Sequence, residues 1–164
     1  MVCEPYDILL SGAKVEGANM AATYDEDVVA WAVEQAALLR AGKFSELDIE
    51  HIADEIEDVG KSEKREVAQR IAMLLTLLLK WTYQPAARGP SAQAVIEMQR
   101  KWIGRRLSRM PSLRLMLANL EETEDLWGDA RVAASHETGL DILTFPEQCP
   151  WALAHALDST FWPT

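Results

Sequence analysis

From Ser45 to Gln84 the chain reads as one helix, with no proline until Pro85 stops it. Within it, Ile71–Leu79 is apolar except for Thr76. Apolar side chains then point to every side of the helix, and the segment must be buried on every side. Such a segment forces the rest of the chain to wrap it. The start is marked by Ser45 as N-cap with Asp48 three residues on, a capping-box variant with Asp in place of Glu or Gln. Phe44 and Ile49 are spaced for a hydrophobic staple, and Gly60 marks a place for a bend or a break.

The wrapping elements are also helical. A first helix is expected from Asp25 to Ala41, with Asp25, Glu26 and Asp27 in its positive first turn and Gly42 beyond its end. Val28, Trp31, Ala32, Gln35, Leu38 and Leu39 form its stripe. Ser91 caps a third helix to Arg109. Pro111-Ser112 opens a fourth to Thr138, with Leu113, Met116, Leu117, Leu120, Trp127, Ala130 and Ala134 in line and Gly139 after it. A last short helix begins with Pro150 at N1 and ends near Leu157. Phe161-Trp162-Pro163 then folds back as an aromatic lid. No strand alternation and no repeat is visible. The expected fold is all-α: an antiparallel bundle of about four long helices plus a short C-terminal one, over residues 24–164, with residues 1–23 as a tail.

Two cysteines, Cys3 and Cys149, make no disulfide framework or zinc site, which fits a reducing compartment. The N-terminus carries Glu4 and Asp7 where a signal peptide would be basic. The apolar run at 71–79 is about half of the roughly 20 residues that span a bilayer. The expected location is the cytoplasm, with no membrane partner.

The net charge of −10 is laid out in blocks. Residues 1–60 carry −11, residues 61–114 carry +9, and residues 115–164 carry −8. In the basic block, Lys101, Arg105 and Arg109 recur at every fourth position, with Arg100 and Arg106 alongside. Like charges at this spacing repel by a few tenths of a kcal/mol per pair, a cost that opposite charge removes. The covering charge is the acidic line of the second helix (Asp48 to Asp58) or Glu121–Asp125 of the fourth, within one molecule, or else phosphate. Lys101, Arg105, Arg106 and Arg109 are therefore the candidate phosphate or nucleic-acid contacts. The acidic flanks rank that reading below intramolecular pairing.

On the long helix, Ile49, Ile52, Ala53, Ile56 and Val59 share an apolar face. Asp48, His51, Glu55 and Asp58 line its edge at spacings of 3, 4 and 3. Carboxylates and an imidazole in one line are the ligand types for a divalent metal or the pair for acid–base work. The Glu-x-x-His motif of di-iron bundles is absent. No cofactor is implied by a motif, and a divalent metal is the one this line would take. There is no Gly-x-Ser-x-Gly, P-loop or GxGxxG. Cys149 beside Pro150 reads as a packed residue. Lys80, closing the apolar run, reaches for the surface or a carboxylate.

Several segments together resemble the bacterial domain-of-unknown-function family 29. They begin with Tyr24-Asp25-Glu26-Asp27, Trp31, Gln35 to Gly42, Phe44 to Asp48, and Asp54 to Arg65. They continue with Leu78 to Pro85, Pro111 to Arg114, Glu137 to Leu140, Phe145 to Trp151, and Phe161-Trp162-Pro163. The resemblance implies a helical bacterial protein without an established activity, and it carries over no site residue. This chain departs from the pattern at Leu77, where the family often has histidine, and at Ala92, where it often has tryptophan. The functional expectation is an interaction or regulatory module, with a protein partner or a second copy. The alternatives are a metal or acid–base enzyme using Asp48, His51, Glu55 and Asp58, and a phosphate or nucleic-acid binder using the third helix.

Overall fold

A computed structural model describes residues 23–116 and 120–164, and the side chains of these outside 116–123. The expected tail, Glu121, Leu117 and Leu120 as side chains thus lie outside the described residues, apart from Thr23. Six helices follow in order: α1 (Val28–Ala41), α2 (Ile49–Tyr83), α3 (Pro90–Arg109), α4 (Ser112–Met116), α5 (Leu120–Thr138) and α6 (Leu153–Leu157). Among the described residues there is no strand, and the all-α helical bundle is the architecture found. None of these helices is long and apolar enough to cross a membrane. The described residues divide into two compact units, one up to Glu55 and the other from Ile56 onward.

The helix ends follow local capping chemistry, and several differ from expectation. The Asp27 carboxylate accepts from the amides of Val29 and Ala30, which makes it the N-cap of α1. Asp25 and Glu26 therefore stand before the helix instead of in its first turn. Gly42 ends α1 in the left-handed region (φ 71°), with Lys43 N–H bonded back to Leu38 C=O as in a Schellman motif. Ser45 does not cap α2. It sits in a tight 3-10 turn (Phe44–Glu46), and the extended Leu47 resets the backbone. Asp48, one turn later, has the first helical carbonyl and a carboxylate aimed at the His51 amide. The staple fails with the cap, since Phe44 and Ile49 are both exposed. Gly60 does not break α2, which runs through it. Gly89 caps α3 with Pro90 at its first position, displacing Ser91. The last helix starts at Leu153 and not at Pro150, because Cys149 to Ala152 are non-helical.

The core belongs to the larger unit. Ile71, Leu74, Leu75, Leu78 and Leu79 of α2 meet Ile96, Ile103 and Leu107 of α3 and Trp127, Ala130 and Ala134 of α5. The all-round burial expected of 71–79 holds in part: Ile71, Leu74, Leu75, Thr76, Leu78 and Leu79 are buried, Ala72 and Leu77 are half-buried, and half of Met73 is in solvent. Thr76 is tolerated there because its hydroxyl donates to Ala72 C=O and lies 3.4 Å from Ala130 C=O. The C-terminal lid closes as expected, with Trp162 packed on Trp81 at 4.7 Å and Trp127 Nε1 donating to Pro146 C=O. Lys80 reaches the Glu137 carboxylate at 2.7 Å. Cys149 is packed, and burial pushes its thiol up from the ordinary value.

The smaller unit has little core. Trp31 and Gln35 are the buried residues of α1. Its remaining stripe is half-buried at Leu38 and open at Val28, Ala32 and Leu39. On α2, the face expected to pack (Ile49, Ala53, Ile56, Val59) is exposed, with Ile52 half-buried. The polar edge has taken the tryptophan instead, because Trp31 carries an N–H that needs an acceptor.

Candidate functional site

The polar edge of α2 organises a small aromatic and ionic cluster within the first unit. Asp48 is fixed from three directions. Its backbone amide donates to Gln35 Oε1 at 2.9 Å, which satisfies that buried side chain. Its carboxylate accepts from Trp31 Nε1 at 3.1 Å and pairs with His51 Nδ1 at 2.6 Å. The Tyr24 ring stacks on the His51 ring at 4.2 Å, and Trp31 stands edge-on to both. Tyr24 then donates its hydroxyl to Glu55 Oε1 at 2.6 Å.

These contacts set the protonation chemistry. The bond from His51, then its backbone amide, then Trp31 hold Asp48 below the ordinary carboxylate value against a smaller burial penalty. The bond to Asp48 raises His51, with Asp25 and Asp54 adding to the field. Nδ1 is committed to Asp48, so the proton is gained or lost on Nε2. Chemically this is an oriented, basic imidazole beside a stacked phenol.

The structure brings Asp48 and His51 into contact and joins Glu55 through Tyr24. It does not bring Asp58, which pairs with Lys61 at 3.1 Å on the same helix, with Glu57 3.4 Å from that lysine. Among the described residues no group of three or more His, Cys, Asp or Glu side chains converges as a metal requires. Tyr24, Trp31 and Gln35 were not among the expected site residues. The usable signal was the indole N–H of Trp31 one helix before a line of acceptors.

The basic line behaves differently residue by residue. Arg106 turns inward to α2 and meets Glu66 at 3.1 Å and Glu63 at 3.5 Å. Trp102 lies under both Arg106 and Arg70, at 5.3 and 4.9 Å. Arg100 is buried and serves the C-terminus: Nε donates to Ala156 C=O at 2.8 Å and Nη2 to Phe161 C=O at 2.6 Å, with Trp162 5.0 Å away. Lys101, Arg105 and Arg109 remain exposed, without an ion pair among the described residues. Among the described residues, the acidic cover expected over this line is present for Arg106 alone. It comes from Glu63 and Glu66, not from the 48–58 line.

A family model described as domain of unknown function DUF29 matches residues 23–162. The chain belongs to the DUF29 family. No curated protein and no solved structure matches it. The match starts at Thr23, so it takes in Tyr24 and all of the Asp48–His51 cluster. The two positions read as departures from the family pattern, Leu77 and Ala92, line one apolar groove of about 270 Å³ with Trp81, Val95 and Ile96.

Proposed function

We propose that this DUF29 protein is a helical interaction module that docks another polypeptide through α1. One observation carries the reading. Of the fourteen residues of α1, only Glu34, Gln35 and Arg40 are polar, yet only Trp31 and Gln35 are buried. Val29 is 71% exposed and Val33 68%. A helix apolar on all sides ordinarily lies within a core. Each such side chain left in water forgoes about 1.5–3 kcal/mol of burial. Contiguous apolar surface of this kind marks interaction sites in soluble proteins. The Asp48–His51 pair has a matching role, as the latch that holds α1 and the first turn of α2 together.

Native mass spectrometry of the chain purified gently from its producing cells tests this. The expected outcome is a bound polypeptide, another protein or a second copy, that Val29→Glu and Val33→Glu remove. A partnerless wild type, with the variants indistinguishable from it, overturns the proposal.

A second reading is supported by the open Lys101, Arg105 and Arg109. At four-residue spacing they stand about 6 Å apart along α3, a ladder suited to successive anionic groups. Binding of a fluorescent single strand would weaken linearly in log salt, and the triple Ala variant would flatten that slope by roughly two units. Salt-independent binding, or none, removes this reading.

A further inference from the structure

We infer that the polypeptide docked on α1 is a second copy of this chain, with the two α1 helices antiparallel about a two-fold axis at Val33. The inference rests on the interaction-module reading and adds the partner and the geometry.

The first support is the shape of the outer face. Ala30, Val33, Ala37 and Arg40 are all exposed and recur at spacings of 3, 4 and 3, with no acidic residue among them. That is the heptad seam by which two helices pack side by side. Alanines let the backbones approach closely, toward the 8 Å end of the usual range.

The second support is how the face meets its own copy. With the axis at Val33, Val29 of one chain stands opposite Ala37 of the other, and Ala30 opposite Ala36. The outer valine therefore meets an alanine, and the other pair is alanine on alanine, which leaves room for Val33 against its own copy on the axis. The same axis sets Arg40 opposite Glu26, at the two ends of a helix about 21 Å long. Arg40 is exposed and has no ion pair among the described residues. Glu26 is exposed too, and among the described residues its carboxylate accepts from the Thr23 hydroxyl alone. A parallel pair would set Arg40 against Arg40, whereas the antiparallel one also opposes the helix dipoles. A two-fold interface of this kind is isologous, so both charge pairs form at once.

Sedimentation velocity on the purified full-length chain, over a concentration series, is the test. The wild type is expected to dimerise and Val33→Glu to be monomeric with unchanged helicity, since it sets two carboxylates on the axis. Arg40→Glu is expected to weaken the dimer about tenfold, and Glu26→Arg combined with Arg40→Glu to restore it. A dimer indifferent to Arg40→Glu, or one the double variant does not restore, overturns the inference. So does a monomeric wild type, including one that dimerises only when residues 1–22 are deleted. A monomer that still carries a different protein, lost in Val33→Glu, overturns self-pairing and leaves the interaction module standing.

Discussion

Replacing Arg100 by methionine removes the link between α3 and the C-terminal segment while keeping most of the side chain's length. Nε and Nη2 hold the carbonyls of Ala156 and Phe161, the first in the last turn of α6, where carbonyls lack helical partners. Hydrogen bonds from a charged donor contribute about 1.5–3 kcal/mol each. Two offsets reduce the sum. Burial already disfavours the charged guanidinium, lowering its affinity for the proton, and Nη1 is buried without an acceptor. Phe161 is half-buried, so water reaches its carbonyl in the variant more readily than that of buried Ala156. The net loss works out at about 2–3 kcal/mol. For a chain of this size that lowers Tm by roughly 4–12 °C. Urea unfolding followed by circular dichroism reads the loss, and hydrogen exchange locates it at residues 153–162. Arg100→Lys keeps the charge but not the fork, and should fall between the two. A methionine variant within about 0.5 kcal/mol of wild type would refute the reasoning.

Three further outcomes are expected. Leu74→Ala, at a fully buried position of α2, should cost about 2–5 kcal/mol in the same urea assay, and a loss below 1 would contradict the packing described. Asp27→Ala should cost about 1 kcal/mol as a lost cap, whereas Ser45→Ala should cost less than about 0.5; equal losses would restore Ser45 as a cap. The latch has a pH window. Raised His51 contributes fully below 6.5 and loses its contribution as pH rises through its folded value, while lowered Asp48 contributes fully above 3.8 and loses it as pH falls. The protection factor of the α1 amides, the exchange rate corrected for its intrinsic pH dependence, should therefore be greatest between those limits, and His51→Gln should abolish its fall on the alkaline side; an unchanged fall would show that His51 does not carry it.

How much of this was legible in advance differs by residue. The long helix, its stop at Pro85 and the burial of Leu74 and Leu78 follow from a nine-residue apolar run that has no other stable environment. Gly42 and Gly139 as terminators follow from the left-handed backbone they adopt. The cap of α2 did not follow, because Ser45 and Asp48 are both competent caps and the choice depends on a 3-10 turn between them. In the site, Asp48 and His51 were legible from helical spacing, but their partners Tyr24 and Trp31 lie 17 to 27 positions away in sequence from them.

The sequence by itself determined the helical architecture, the segment at its centre and the division of charge, since periodicity, chain-breaking residues and charge are local properties. The tertiary structure decided how the basic block is used: Arg106 pairs with Glu63 and Glu66, Arg100 anchors the C-terminus, and Lys101, Arg105 and Arg109 stay open. It also decided that α1 leaves its apolar outer face uncovered while Trp31 turns to Asp48. The reason is physical: a side chain's partner is set by which helix face arrives within a few ångströms of it, and that depends on packing across the whole fold.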